Sequence, residues 1–388
     1  MGLLIGFSTG FLTTLLLITQ LYSPPNNNPR YIKVKNKQMK LLPLRYRDIP
    51  HWQRDDHLSA FRAFQISCEG FLQNQNNKRP LAQKRKALCQ KAVRANIIHK
   101  TQARKFFQTH FKPYRVLTNR SLLTGYYEPE LQGSRVKTPE YTIPVYRRPD
   151  DLVSLIKDKH RAAKNHQLTF MRRSGKKLEP YPTREAIERG ALDGKGLELL
   201  YLKDQVDAFF MHIQGSARIK LTDGSTVRIG YDGKNGHPYR SIGKHLKRAY
   251  KFSGNQLRLE AVKRWLRENK EAGQKVMWHN KSYIFFRQLE DAQGKNGPIG
   301  AEGVTLTAKR SLAVDGSYHQ LGLPIWLDVP NLTHHGRHGF HHLMIGQDVG
   351  SAIKGPARGD IFWGSGEQAG ILAGGTKHKG RFTILLPR

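Results

Sequence analysis

Three aspartates near the C-terminal end of this 388-residue chain are the first candidates for chemistry. Asp315 closes the run SLAVD, Asp348 lies in GQDVGSAIKG, and Asp360 lies in RGDIFWG. Each ends or adjoins a hydrophobic stretch of β type. Carboxylates at strand ends can converge in a groove, where burial raises a pKa until one group serves as an acid near neutrality. Glycines beside Asp348 and Asp360, Gly350 among them, permit tight turns and let a ligand approach the backbone. A plainer role also suits these residues, because Asp at a turn accepts backbone N–H bonds. Spacing alone does not choose between the two.

Other clusters are weaker. His334, His335, His338, His341 and His342 crowd a Gly-containing loop, but neither Cys nor carboxylate lies among them, and no metal site is expected. The stretch Lys157–Lys177 carries eight Lys and Arg residues. Such a run can bind phosphates. No nucleic-acid-binding motif accompanies it, and a solvated loop is the simpler reading.

Composition sets the frame for these residues. The chain holds 65 Lys+Arg against 30 Asp+Glu, a formal charge of +35, so polyanionic partners come to mind first: nucleic acid, an anionic membrane or an acidic polymer. Hydrophobic residues at 38% and aromatics at 10% suffice for a buried core, which excludes wholesale disorder. The length suits two or three domains. Two cysteines exclude a disulfide scaffold and a cysteine zinc site.

The elements that must position the aspartates follow from patterning. Gly2–Tyr22 carries no charge and is long enough to cross a bilayer as a helix. The first positive side chain is Arg30, and no Cys follows the apolar run. Residues 1–22 are therefore expected to be a signal or anchor segment, with an uncleaved anchor, a cleaved signal and a buried helix all compatible. Export is the favoured reading. Residues 23–40 open with SPPNNNPR and are expected to be a linker.

Phe61, Phe64, Cys68 and Phe71 then lay an apolar stripe along a helix, and a second helical pattern spans Leu81–Phe107. Cys68 and Cys89 each lie near an apolar helical face. They are either a disulfide joining two packed helices or two reduced core thiols. Beyond residue 115 short β-type runs dominate: Leu122–Tyr127, Tyr141–Tyr146, Ala208–Gln214, Ser225–Tyr231, Ile325–Val329, Leu343–Gln347 and Phe382–Leu386. Parallel βαβ alternation is missing, so barrels are expected over a doubly wound sheet. Helices are predicted over Leu257–Asn269 and after Thr183, with Gly190 as a stop.

Longer motifs carry a resemblance. GQDVGSAIKGPARGD, with SLAVD upstream, resembles the three-Asp domain of the membrane-bound lytic murein transglycosylase A family. TGYYEPELQGS (Thr124–Ser134), the segment Tyr181–Ile219 ending in HIQGSARI, GYDGKNGHPYRSIGK (Gly230–Lys244), NKSYIFFR (Asn280–Arg287) and FWGSGEQAG (Phe362–Gly370) are similar to that family in its order. The likeness runs from about Trp52 to Pro387. Two departures are Ala217, where the family pattern has Gly, and the missing lipobox Cys.

The resemblance implies a mainly β fold with helices. A double-psi β-barrel domain would form from 41–129 plus 297–388, and a second, smaller β-barrel domain for substrate binding, 130–296, would be inserted between them. It also implies cleavage of the β-1,4 bond between N-acetylmuramic acid and N-acetylglucosamine without water, leaving 1,6-anhydro ends. The muramyl 6-hydroxyl would be the internal nucleophile, so one acid serves twice, and no metal or cofactor is needed.

By its place in RGDIFWG, Asp360 matches the catalytic acid, and Asp348 matches the second carboxylate, which stabilises developing positive charge. Asp315 is expected to order loops. Thr124, Tyr126 and Glu128 would line the groove, Gln214 and Ser216 would face the glycan, Lys354 would orient a carboxylate or acetamido oxygen, and Gly350 would lie against substrate. Tyr127 and Phe209 are expected in the core. The implied partners are peptidoglycan glycan strands, the membrane through the N-terminal segment, and cell-wall synthesis or division proteins, with no nucleic acid. The implied place is the periplasmic side of a Gram-negative-type cell envelope, anchored or free.

The competing classes are a catalytically idle murein-binding scaffold and a nucleic-acid-binding protein. Residues 311–388 hold 7 Lys+Arg and 5 Asp+Glu, so nearly all of the +35 lies outside the three-Asp segment. The charge reads as a surface for holding carboxylate-bearing murein, not as the source of chemistry.

Overall fold

A computed structural model describes residues 29–34, 37–73, 80–155, 170–289, 297–334, 336 and 338–388. The expected signal or anchor segment, the start of the linker, most of Lys157–Lys177 and His335 lie outside the described residues. Within 23–40, the part from Arg30 onward is not a tether. Strands β1 (Arg30–Val34) and β2 (Lys37–Pro43) pair as an antiparallel hairpin.

Helices α1 (His57–Gln73), α2 (Pro80–Arg94) and α3 (Lys100–His110) follow. The stripe of Phe61, Phe64 and Cys68 buries one face of α1 against Phe106, Phe107 and Phe111, with Phe61 and Phe106 rings 4.9 Å apart. Cys68 and Cys89 form a disulfide between α1 and α2, with Cα atoms 4.8 Å apart. The single pattern over Leu81–Phe107 is in fact two helices. Asn96 and the β-branched pair Ile97–Ile98 weaken helix continuation. Gln102 Oε1 then accepts from the His99 backbone N–H at 3.1 Å and starts α3 afresh.

Strands β3 (Phe111–Val116) and β4 (Leu122–Glu128) belong to the same sheet as β1 and β2. After Pro129 the chain enters a second sheet. Its members are β5 (Glu130–Ser134), β6 (Ile143–Tyr146), β10 (Glu198–Leu202), β11 (Ser216–Leu221), β12 (Thr226–Lys234) and β13 (Ile284–Leu289), in the order β13-β12-β11-β5-β10-β6. Short strands β7 (Leu152–Ser154), β8 (Phe170–Ser174) and β9 (Lys177–Glu179) form a side sheet. Helices α4 (Gln205–Gln214), α5 (Ile242–Ala249), α6 (Leu259–Glu268) and α7 (Lys270–Trp278) pack beside them.

The run Ala208–Gln214, expected as a strand, is the body of α4. Asp204 Oδ1 caps its start by accepting from the Asp207 N–H at 2.7 Å, and Gly215 ends it at φ +83°. The run is mostly apolar because it is buried on two sides. Ala208 and Met211 join the sheet core while Phe209 and Phe210 join the helical cluster. Thr183 does cap a short turn at Arg184–Ala186, and Gly190 takes φ +102° just before that helical segment ends.

The chain then returns to the first sheet with β14 (Ser311–Val314), β15 (Pro324–Val329), β16 (Phe340–Asp348), β17 (Arg358–Ser365), α8 (Glu367–Gly375), β18 (Lys377–His378) and β19 (Arg381–Pro387). The ten-stranded order is β1-β2-β3-β19-β15-β16-β14-β17-β4-β18. Segments before and after the second sheet therefore build one mixed sheet, and the fold is mainly β with helices. Its core joins Leu123 of β4 to Leu312, Ile325, Met344 and Ile361 of the C-terminal strands. Buried polar links fix the helical layer on this sheet. Arg310 donates to both Asp55 oxygens at 2.9 and 3.0 Å, and Gln347 Nε2 donates to Ala63 O at 3.0 Å.

Candidate active site

Strand β14 lies between β16, to which it runs parallel, and β17, to which it runs antiparallel. Its Ala313 is registered against Asp348 on one side and Asp360 on the other. The two aspartate Cα atoms thus stand about two strand spacings apart, roughly 9.6 Å. Asp315 follows directly after the same strand. Sheet register therefore gathers all three sequence-predicted carboxylates at one place.

Their surroundings differ. Asp348 Oδ1 accepts from the Ala301 and Val349 backbone N–H groups, both at 2.9 Å, and its Oδ2 accepts from the Tyr126 hydroxyl at 2.9 Å. Burial raises its pKa, and these donors oppose that rise. Three donors leave this carboxyl suited to remain an anion. The adjacent negative charge in turn helps burial push the Tyr126 phenol well above its ordinary range, so Tyr126 stays a donor.

Among the described residues Asp360 has a single side-chain donor. Thr124, paired with it in register on β4, donates from Oγ1 to Asp360 Oδ1 at 2.5 Å. Thr124 in turn accepts from Arg358 Nη2 at 2.8 Å, which aims its proton at the aspartate. Burial pushes the Asp360 pKa up to about 6; Thr124 and Arg358 act against the rise, and the Asp348 charge adds to it. With Oδ1 accepting from Thr124, Oδ2 is the oxygen left to carry a proton. Asp348, met by three donors, and Asp360, met by one side-chain donor among the described residues with its pKa raised to about 6, thus stand in unequal environments.

Asp315 is 3% exposed and consumed by loop contacts. Its Oδ1 accepts from Ser317 N and Oγ at 3.0 and 2.7 Å, and its Oδ2 accepts from Gly355 N at 2.8 Å. That last bond holds the loop bearing Lys354, whose side chain is exposed. Gly350 lies in the same loop with no room for a side chain, since a Cβ would stand 2.6 Å from Ile353 Cγ1.

Glu128 departs from the groove-lining role expected for it. It is fully buried, accepts from Arg228 Nε of β12 at 2.8 Å and from Ser365 Oγ of β17 at 2.6 Å, and so joins the two sheets. Gln214 Oε1 accepts from the Tyr127 backbone N–H at 3.2 Å, a second link between them. Ser216 opens β11 opposite Gly230 and is 9% exposed. Tyr127 and Phe209 are core residues.

Sequence reasoning passed over three groups here. Arg358 was in view inside RGDIFWG, but its target Thr124 is 234 positions away. Ala301 supplies only a backbone N–H, which no side-chain pattern reveals. Tyr239, in the GHPYRS part of a quoted motif, is a half-buried phenol whose pKa desolvation raises, with Ser241 opposing and the Asp360 charge adding to the rise. The histidine loop is also tied to acids distant in sequence: His341 Nδ1 meets Asp328 Oδ1 at 2.8 Å, and His342 Nδ1 meets Asp55 Oδ1 at 2.7 Å.

Residues 122–287 match the MltA specific insert domain, and residues 310–386 match the 3D domain. Membrane-bound lytic murein transglycosylase A of Escherichia coli strain K12 is 33% identical over 267 residues, which is 68% of this chain and 64% of that protein. A crystal structure of membrane-bound lytic murein transglycosylase from Agrobacterium tumefaciens is similar with a TM-score of 0.81 at 37% identity, covering 90% of this chain and 98% of that one. E. coli MltA with bound chitohexaose gives 0.61 at 26% identity, covering 93% and 95%. Fold and site together define a three-aspartate domain interrupted by an insert with its own sheet. The chain belongs to the membrane-bound lytic murein transglycosylase A family. Its alignment spans a little under two thirds of the length of the E. coli protein.

Proposed function

We propose that this chain is a lytic transglycosylase of peptidoglycan, cleaving the β-1,4 bond between N-acetylmuramic acid and N-acetylglucosamine. The observation that carries the reading is the unequal pair: Asp360, with a pKa near 6, beside Asp348, which is held by three donors. Asp360 Oδ2 gives its proton to the glycosidic oxygen as the bond from muramyl C1 breaks. Positive charge then develops at C1 and the ring oxygen, and the Asp348 anion stabilises it. The Asp360 carboxylate next takes the proton of the muramyl 6-hydroxyl while O6 bonds to C1. The product is a 1,6-anhydro end, no water is consumed, and Asp360 regains its proton. A retaining hydrolase would need a carboxylate nucleophile and an inverting one a water-activating base; the internal hydroxyl replaces both.

The division of the chain into a catalytic domain, 41–129 plus 297–388, and an inserted substrate-binding domain, 130–296, belongs to the same proposal. E. coli MltA binds chitohexaose, which supports a glycan running between the two sheets here. In this reading Thr124 and Tyr126 position the carboxylates, Gly350 and Lys354 border the glycan from the first sheet, and Gln214 and Ser216 border it from the second. The place of action is the cell envelope, as the relatives' name suggests. Among the described residues no helix is long and apolar enough to cross a membrane.

Clearing of a purified murein suspension tests the assignment of roles. Asp360→Asn should abolish release of muropeptides with the melting temperature retained, and Asp348→Asn should slow it by a factor on the order of 100. Full activity in Asp360→Asn would remove Asp360 from the mechanism.

A further inference from the structure

Behind Asp348 lies a buried polar cluster that no step of the cleavage uses. Ala301, whose backbone N–H donates to Asp348 Oδ1 at 2.9 Å, stands at the tip of a turn. Gly300 N–H closes that turn on Val304 O, and Gly303 N–H closes it on Gly300 O, both at 2.9 Å. The next residue, Glu302, anchors the tip. Its backbone N–H donates at 3.0 Å to the carbonyl of Gln347, the residue before Asp348 on β16. Its side chain reaches into the helical layer, where Ser67 Oγ of α1 donates to Oε2 and Arg85 Nη2 of α2 donates to Oε1, both at 2.7 Å. Ser67 Oγ also accepts from Gln347 Nε2 at 2.9 Å. One hydroxyl thus ties the turn that donates to Asp348 to the strand that carries it.

The helices are locked together at the same point. Cys68 follows Ser67, and Cys89 lies about one helical turn after Arg85, so the disulfide joins α1 to α2 beside both donors. The Arg85 and Glu302 side chains are only 10% and 9% exposed. Taking an ion pair that far from water often costs as much as the pairing returns, so net stability does not account for it. A hydrogen-bonded cluster in a low-dielectric interior does rigidify the groups it joins. Here those groups are the turn of Ala301 and the strand end of Asp348.

We propose that Glu302 is a positioning residue for the reaction: clamped by Ser67 and Arg85, it holds the Ala301 N–H against Asp348 so that this carboxylate stays an anion. The inference rests on the transglycosylase reading and adds to it the device that keeps the second carboxylate in its role. The other titratable groups facing Asp348 are Tyr126 from β4 and Asp360 from β17, and both are retained in every variant tested.

The test is the pH profile of kcat and KM for murein cleavage by the full-length protein. Asp348 must be ionised, so its titration sets the acid-side limb. Glu302→Ala loosens the turn and weakens the Ala301 bond to the charged form. The acid-side limb should then move about one pH unit higher. At the optimum, kcat should fall about tenfold with KM nearly unchanged. Glu302→Gln, which still offers an acceptor to Ser67 and Arg85, should keep the limb near its wild-type position. Ser67→Ala, a smaller change in the same cluster, should move the limb in the same direction and carries the test if Glu302→Ala does not fold. A fall in kcat with the limb in place would make Glu302 a structural residue only and overturn the proposal. A limb that moves lower overturns it too, because losing a nearby negative charge would by itself lower the Asp348 pKa. Should the wild type release nothing from murein, the transglycosylase reading fails, and amide hydrogen exchange at Ala301 still decides the clamp. Faster exchange in Glu302→Ala than in the wild type supports it, and equal exchange overturns it.

Discussion

Asp360 is a carboxyl whose behaviour is set by two neighbours it could not have been assigned from spacing. Its environment holds the proton to about pH 6, and Thr124 stabilises the ionised form that follows. In its proposed role of general acid it must be protonated, so cleavage should fall as pH rises through about 6. Thr124→Val removes a hydrogen bond to the charged form, which raises the Asp360 pKa. The falling limb of the pH–rate profile should then move roughly one pH unit higher. A limb that stays in place or moves lower would contradict the Thr124–Asp360 relation. Asp348 and Asp360 themselves were legible, because long motifs surround them. The relay from Arg358 through Thr124 was not, since β4 and β17 pair across 236 positions and no local pattern records that register.

Elements show the same division between local and distant information. The stripe Phe61, Phe64, Cys68 announced α1 because helical periodicity is local. The run Ala208–Gln214 reads as a strand because a helix packed on two sides has apolar residues in succession, and the caps Asp204 and Gly215 are the local signal of the helix. Glu128 is the clearest case. A carboxylate in TGYYEP next to the crossing into the second sheet looked like a groove residue, yet it is the buried pin between β4, β12 and β17. Burial raises its pKa, and Arg228 and Ser365 oppose the rise. Arg228→Leu leaves that charge buried without its ion-pair partner and should lower stability to urea by about 3–5 kcal/mol. Glu128→Gln, which can still bond Ser365, should cost less. A loss below about 1 kcal/mol in Arg228→Leu would show that the pair does not hold the sheets together.

For the whole molecule, the two-sheet organisation explains how chemistry and charge are separated. The three aspartates stand in a C-terminal segment with 7 cations and 5 anions, while the cationic excess belongs to the helical layer, the second sheet and their loops. The second sheet in turn brings Tyr239 within electrostatic reach of Asp360 in the first. A glycan between them would meet the acid from one side and binding groups from the other. The central claim is that the internal hydroxyl, and not water, receives the broken bond. Mass analysis of fragments released from purified sacculi tests it most directly. Muramyl ends lighter by one water than the hydrolytic product, carrying the 1,6-anhydro ring, are the predicted result; reducing muramyl ends that have gained a water would contradict the account.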